Sequence, residues 1–268
     1  LGSPDVRAVF VLTRHDLHAQ QVCKALTAGK HVFVEKPLAI SIDELEQIEG
    51  ALLKTPEPHP LLMVGFNRRF SPAATAAKAF FAQVRQPLTV TLRMNAGPVP
   101  AEHWTQDEQS GGGRIIGEAC HAIDLAVFLT GSLPVRVFAE SVGRENAPAI
   151  SDDQCLITLR HANGSISSIA YVSSGDKAFP KERVEIFGGG RVAVIDDFRE
   201  LTTSVDGKQK TAGGWKQDKG HHAEIEAFSN VLARGGAAPI AWSELRTVTL
   251  ASILAVRSLR EGVPFEID

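Results

Sequence analysis

The sequence has few cysteines and no clusters of basic residues. Its three cysteines, Cys23, Cys120 and Cys155, stand far apart without metal-ligand spacing, which argues against a disulfide framework and a zinc site. The formal net charge is -3 and the lysines and arginines are scattered, so neither a nucleic acid nor an anionic membrane is an expected partner. We expect a small-molecule ligand, no metal, and a reducing cytoplasm.

Long apolar runs and a signal peptide are also absent. No stretch approaches the roughly 20 apolar residues that a membrane-spanning helix needs, and the first residues do not follow the basic, apolar and small-residue order of a secretory signal. These absences predict a soluble, cytoplasmic protein that does not insert into a membrane.

The first part of the chain alternates between strand and helix patterns. Residues 8–13, 31–35 and 61–66 are apolar runs typical of strands that are covered on both faces. Helical patterns follow each run; Ser41 with Glu44 forms a capping box, and Ser71 before Pro72 is a second helix start. Three such units predict a parallel, doubly wound sheet.

After Pro87 the pattern changes to short strands. Strands are predicted at 135–142, 154–160, 165–173, 182–187 and 191–196, in addition to 88–94. Helices are predicted at about 114–129, 219–234 and 243–261. The expected fold is the C-terminal part of a doubly wound Rossmann sheet, followed by an α+β domain with an open, mainly antiparallel sheet. The predicted domains are residues 1–86 and 87–268.

The sequence also lacks the G-x-G-x-x-G loop that holds a dinucleotide pyrophosphate. The glycine run at 111–113 follows a polar loop, and the run at 188–190 lies between two predicted strands, where a hairpin turn is the simpler interpretation. We therefore expect a partial Rossmann domain whose first strands are missing, with either the edge of its first strand covered by another chain or segment or an incomplete three-stranded parallel sheet.

One lysine stands where ligands bind in open α/β sheets. Lys36 directly follows the strand at 31–35 and precedes Pro37, so it lies at the carboxyl edge of the predicted sheet. A solvated loop lysine is the alternative for a Lys-Pro pair alone. Three further stretches favour a site: "TRHDLH" at 13–18, "GFNRRF" at 65–70 and "GGGRIIGEACHAID" at 111–124, which places His121 and Asp124 on one helical face.

Together these stretches resemble the Gfo/Idh/MocA family, named after glucose-fructose oxidoreductase and inositol dehydrogenase. The resemblance implies a Rossmann domain that binds NAD or NADP, and a C-terminal domain that binds substrate and forms a homodimer or tetramer through its sheet. The family's E-K-P motif matches Glu35, Lys36 and Pro37, and its H-x-x-D helix matches His121 and Asp124. The family's T-P-N-x-x-H loop is matched only by Thr13 and His18, since Arg14 and His15 replace proline and asparagine.

The resemblance implies hydride transfer between a nicotinamide and a secondary alcohol of a sugar, cyclitol or polyol. Lys36 is predicted to exchange the hydroxyl proton, because burial beside an oxidised nicotinamide disfavours an ammonium ion. His121 is predicted to hydrogen-bond the same hydroxyl or relay the proton, and Glu118 is a candidate helper or a helix-surface acid. The predicted cofactor contacts are Thr13, Arg14, His18, Glu35, Pro37 and Arg68. The predicted substrate contacts are Asn67, Trp104 and Asp124, the last of which alternatively orients His121 or has a structural role. The alternatives are packing at a helix N-terminus for His18, a surface salt bridge for Arg68 and a core position for Trp104.

Two departures leave an alternative function open. Many family dehydrogenases carry aspartate four residues before the helix histidine, where this sequence has Gly117. The sequences of residues 113–124 and 218–228 also resemble a subgroup fused behind a zinc alcohol-dehydrogenase-like half, so a fused N-terminal half is an expected partner. The alternative is a non-catalytic oligomerisation or regulatory module that has lost cofactor binding. Lys36 and His121 favour the enzyme, whereas Gly117 and the missing glycine loop favour the module.

Overall fold

A computed structural model describes residues 1–142 and 153–268 of the protein. Its first sheet is parallel, with strand order β1-β2-β3. The strands are β1 (Ala8–Val11), β2 (His31–Val34) and β3 (Leu62–Val64). In register, Ala8 lies beside His31 and Val32 beside Leu62. Within the described residues this sheet has three strands, which confirms the prediction of a three-stranded parallel sheet.

Three helices connect and follow these strands. They are α1 (His18–Thr27), preceded by the 3-10 turn His15–Leu17, α2 (Ile42–Leu53) and α3 (Pro72–Phe80). The predicted caps are present, because the Ser41 hydroxyl accepts the N–H of Glu44 at 3.2 Å and the Ser71 hydroxyl accepts the N–H of Ala74 at 3.1 Å. Both bonds satisfy amides that a helix N-terminus otherwise leaves unpaired.

The second sheet is mixed and mostly antiparallel. Its strands are β4 (Thr89–Asn95), β5 (Pro134–Ser141), β6 (Gln154–His161), β7 (Ile166–Val172), β8 (Glu182–Gly188), β9 (Arg191–Asp196), β10 (Glu200–Val205), β11 (Lys208–Gly213) and β12 (Phe265–Glu266). Their order is β11-β10-β9-β8-β4-β7-β6-β5-β12, and among the described strands of this sheet only β4 and β7 pair in parallel. The predicted open sheet is confirmed, whereas β10, β11 and β12 were not predicted.

The remaining helices cover the two sheets. A π-helical turn, Ile115–Ala119, leads into α4 (Cys120–Thr130), and α5 (His221–Arg234) and α6 (Trp242–Glu261) follow later in the chain. Phe228 of α5 packs with Phe33 and Met63 on one face of the parallel sheet. The predicted second domain thus contributes a helix to the first sheet, and the boundary at residues 86 and 87 stays a prediction.

Candidate active site

Lys36 lies at the carboxyl end of β2, as predicted. The N–H of Glu35 donates to the carbonyl of Val11 at 2.9 Å, so strand pairing continues up to the residue before the lysine. The half-buried Lys36 then donates from Nζ to the carbonyl of Gly117 at 2.7 Å. This bond joins the edge of the parallel sheet to the π-helical turn that precedes α4.

His121 is buried on the first turn of α4, close to Lys36. Its side chain is 6% exposed, and its ring packs edge-on near Phe66, with 6.1 Å between the ring centroids. No group in the described part of the chain lies within hydrogen-bonding distance of the buried Nδ1. Burial, and then the charges of Arg68 and Lys36, hold the pKa of His121 well below its usual range, so the ring is neutral at pH 7.

Glu118 is drawn into a charged cluster instead of lying on the helix surface. Its carboxylate accepts hydrogen bonds from Arg114, Lys181 and the Tyr171 hydroxyl, the last at 2.9 Å. Burial alone raises the pKa of Glu118, but the charges of Lys181 and Arg114 outweigh burial and hold the pKa below its usual value. The alternative of a helix-surface acid does not fit, because these three partners hold the carboxylate in its ionised form, and the predicted role of Glu118 as a catalytic helper stays a prediction.

Asp124 pairs with an arginine and not with His121. Arg69 donates from Nε to both Asp124 oxygens, at 3.0 and 3.1 Å, and from Nη2 to Oδ1 at 2.5 Å. The same guanidinium donates to Glu244 at 2.7 Å. Burial lowers the pKa of Arg69, but Asp124 and Glu244 raise it further than burial lowers it. Of the interpretations offered by the sequence, this geometry supports the structural role of Asp124.

His18 connects two loops at the carboxyl edge of the sheet. Its Nδ1 lies 2.7 Å from the carbonyl of Pro37 and its Nε2 lies 3.0 Å from the carbonyl of Thr13. The side chain is fully buried. Both ring nitrogens face backbone oxygens of this chain, so His18 joins the Thr13 loop to the loop that carries Lys36. This geometry favours a packing role, and the contact of His18 with the cofactor stays a prediction.

Asn67 and Arg68 are likewise engaged by the protein itself. Asn67 donates from Nδ2 to the carbonyl of Lys219 at 2.8 Å. Arg68 forms two hydrogen bonds to the buried Glu182, at 2.7 and 2.9 Å. Burial raises the pKa of Glu182, but Arg68 and Lys219 lower it to about 2. The Arg68–Glu182 pair connects the two sheets, which supports a structural role. The cofactor contact of Arg68 and the substrate contact of Asn67 stay predictions.

The other predicted contacts surround the mouth of the site. The Thr13 hydroxyl donates to Gln21 at 3.3 Å. The Arg14 guanidinium lies 5.6 Å from the Trp104 ring centre, in cation–π geometry. The carboxylate of Glu35 lies close to Gly65, since a Cβ atom added to Gly65 would be 3.0 Å from a Glu35 oxygen. Trp104 also contacts His15 edge-on, at 4.7 Å between centroids, so this tryptophan packs between the two halves of the chain.

Two residues of this region were not predicted. His15 is buried, and its Nδ1 lies 2.7 Å from the carbonyl of Gly111. Glu224, one turn into α5, is 3% exposed and its Oε1 has no hydrogen-bond partner among the described residues. Burial, followed by the charges of Glu35 and Asp124, raises the pKa of Glu224 to about 9. The only sequence signal for His15 was its replacement of asparagine in the loop motif.

In residues 1–142 and 153–268, no group of three or more His, Cys, Asp or Glu side chains is arranged to hold a metal ion. No helix within these ranges is both long and apolar enough to span a bilayer.

Two family models match the chain. The model described as "Oxidoreductase family, NAD-binding Rossmann fold" matches residues 1–65, which include Lys36, and the model "GFO/IDH/MocA C-terminal domain" matches residues 83–191, which include His121. The chain belongs to the Gfo/Idh/MocA family. As a Gfo/Idh/MocA protein it is an NAD(P)-dependent oxidoreductase, which confirms the predicted enzyme class and cofactor type.

Curated relatives and solved structures extend this similarity over the whole chain. The scyllo-inositol 2-dehydrogenase (NAD(+)) of Bacillus subtilis (strain 168) is 28% identical over 284 residues, covering 100% of this Gfo/Idh/MocA chain and 80% of the relative. The inositol 2-dehydrogenase of Rhizobium meliloti (strain 1021) is 26% identical over 279 residues, which cover 97% of this chain and 80% of the relative. Levoglucosan dehydrogenase, solved with NADH and levoglucosan, has the same fold, with a TM-score of 0.84 at 23% identity. The match covers 99% of this chain and 81% of that structure.

Proposed function

We propose that the protein transfers hydride between a nicotinamide cofactor and a secondary alcohol of a cyclitol, sugar or related polyol, with Lys36 as the acid/base. The observation that carries this proposal is the position of the Lys36 amine. It lies at the carboxyl edge of a parallel sheet, held to the Gly117 carbonyl at 2.7 Å, beside a neutral, buried His121. Ligands of open α/β sheets bind at this edge.

The residues at this edge fit the nicotinamide end of the cofactor. The Nδ1 of His121 is enclosed and lacks a partner among the described residues, so we assign the other ring nitrogen, Nε2, to contact with the ligand. Glu35, Arg14 and Thr13 are the residues we assign to contacts with the nicotinamide riboside. Bound there, the cofactor supplies the hydride acceptor or donor.

The protein's own residues handle the proton. In the oxidation direction the neutral amine of Lys36 takes the proton from the substrate hydroxyl as the carbon–oxygen double bond forms, and in reduction the ammonium returns it. His121 stays neutral and hydrogen-bonds the same oxygen, which fixes the hydroxyl at hydrogen-bonding distance from Lys36. Position and proton transfer thus come from two side chains on different elements, one at the end of β2 and one on α4.

The substrate class rests on the relatives. Two of them are named as inositol dehydrogenases, and this chain aligns with 80% of the length of each. A cyclitol or sugar presents several adjacent hydroxyls, which suits a site lined by neutral imidazoles and carbonyl oxygens. Within this class we propose cyclitols first.

An assay of reduced-nicotinamide formation tests this function. The protein is incubated with NAD or NADP and a panel of myo-inositol, scyllo-inositol, levoglucosan and glycerol. We expect the wild-type protein to turn over at least one polyol and His121→Ala to turn over none. His222→Ala is the matched control, because His222 is exposed on α5, and it should keep wild-type turnover. A protein that is folded yet turns over no member of the panel with either cofactor would favour the non-catalytic module.

A further inference from the structure

Gly117 leaves space in the site, and the ring of His15 fills it. A Cβ atom added at residue 117 would lie 3.0 Å from His15 Cε1 and 3.5 Å from its Nδ1, and the next atom, the Gly111 carbonyl oxygen, is 3.7 Å away. The φ angle of Gly117 is not in the left-handed region, so backbone conformation does not require glycine there. The imidazole of His15 is the closest group to a side chain at position 117, and it would have to shift to admit one.

The hydrogen bonding of His15 fixes which nitrogen carries its proton. Its Nδ1 lies 2.7 Å from the carbonyl oxygen of Gly111, which can only accept. Nδ1 is therefore the donor. Burial, opposed by the hydrogen bond to Gly111 and assisted by the charge of Lys36, lowers the pKa of His15 to about 4. In the neutral ring that results at pH 7, Nε2 carries a lone pair and accepts hydrogen bonds.

The accepting nitrogen is not used within the protein. No described group lies within hydrogen-bonding distance of Nε2, and Nε2 is not sealed from solvent in the way that His121 Nδ1 is. The ring itself cannot rotate freely, because it packs edge-on against Trp104 at 4.7 Å and lies 5.7 Å from the His18 ring. A fixed ring with one free acceptor is a ready partner for a hydroxyl group.

His15 and Lys36 lie on either side of the same residue. Lys36 Nζ binds the carbonyl of Gly117, while the His15 ring packs against the α-carbon side of Gly117. We propose that His15 is a substrate-binding residue whose Nε2 accepts a hydrogen bond from a hydroxyl of the polyol next to the one that reacts. This inference rests on the proposed function for the identity of the substrate. It implies that His15 favours substrates with a hydroxyl group next to the one that reacts.

Nitrogen-15 NMR of the histidine rings in the full chain tests this role without relying on turnover. The His15 signals are assigned by their loss in His15→Phe, a variant that keeps a ring beside Trp104. Before ligand is added, we expect a neutral ring protonated on Nδ1. On titration with the inositols of the panel, we expect the Nε2 signal to shift, while the signals of the exposed His222 stay unchanged.

Kinetics then show whether the contact matters for binding. In His15→Phe we expect KM for the polyol to rise about tenfold, the scale of one lost neutral hydrogen bond, with kcat within about twofold of wild type. In Gly117→Ala the added methyl group lies 3.0 Å from His15 Cε1 and displaces the His15 ring without removing it. We therefore expect a smaller rise in KM, of about threefold. His222→Phe is the control that should leave both constants unchanged.

The outcomes separate this inference from the proposed function. An Nε2 shift with no turnover of any polyol upholds the role of His15 and counts against hydride transfer. The absence of an Nε2 response to every polyol overturns the inference whether or not turnover is seen. A ring protonated on Nε2 in the free protein overturns it too, because Nε2 would then be a donor.

Discussion

The amine of Lys36 donates a 2.7 Å hydrogen bond to the carbonyl of Gly117, a residue 81 positions further along the chain. The acceptor is a backbone oxygen, so this contact does not depend on the side chain at position 117. The π-helical turn Ile115–Ala119 presents that oxygen toward the end of β2. The Lys36 side chain is thereby held in one place before any ligand binds, which reduces the entropy cost of ordering it.

The ion pair between Arg69 and Asp124 should contribute strongly to the stability of the fold. Asp124→Ala leaves the buried Arg69 with only the partly exposed Glu244 as a carboxylate partner, and breaking such a pair costs about 3–5 kcal/mol. The matched control is Glu244→Gln, which removes the more exposed partner and should cost about 1 kcal/mol. Urea unfolding followed by circular dichroism measures both values. Equal losses in the two variants would show that Asp124 is not the main partner.

Glu224 should make the folded protein less stable as the pH rises. Burial, with Glu35 and Asp124 nearby, raises its folded pKa to about 9, whereas the unfolded value is about 4.3. The folded state therefore holds a proton that the unfolded state releases above about pH 4.3, so stability falls until the pH passes about 9. At pH 7 the loss is about 3–4 kcal/mol.

Glu224→Gln should remove this pH dependence, because glutamine carries no titrating proton. We expect the variant to be more stable than wild type at pH 8 and its stability to be flatter between pH 5 and pH 8. Glu226→Gln, on the exposed face of the same helix, is the control and should behave like wild type. Thermal unfolding at several pH values measures the effect, and a Glu224→Gln variant no more stable than the control at pH 8 would contradict it.

The open face of the second sheet should be covered in a homodimer. Leu156, Ile166 and Phe187 are 60%, 53% and 40% exposed, and strand register places Ile166 and Phe187 on either side of Thr89 on the same face. An apolar sheet face without covering helices favours self-association. Light scattering should give at least a dimer for wild type. Ile166→Asp should shift it toward the monomer, while Leu53→Asp, at the end of α2 and 66% exposed, should not.

Much of the fold could be predicted because local and tertiary preferences agree. The three parallel strands are continuous apolar runs, and Ser41 and Ser71 cap helices as their positions indicate. The β10–β11 hairpin was missed because β11 is exposed along its whole length, so it has no alternating apolar pattern. The Asp206-Gly207 turn, with φ angles of 51° and 69°, was the signal that could have revealed it.

The site could be predicted only where a motif fixes a position on one element. Lys36 and His121 belong to such motifs. The partners of Arg68 could not be predicted, since Glu182 lies 114 residues away and is brought close only by the packing of the two sheets. His15 was missed for the same reason, because the space it fills is created by Gly117 on another element.

The most direct test of the proposed function is the turnover number of Lys36→Met on the polyol that wild type oxidises fastest. The substitution removes the proton-exchanging amine and keeps the length of the chain. We predict a loss of at least about 10²-fold in kcat, the scale of a missing general acid/base, with an unchanged circular dichroism spectrum. Lys54→Met, at the exposed end of α2, should keep wild-type activity. Turnover by Lys36→Met within a few-fold of wild type would contradict the assignment of Lys36 as the acid/base.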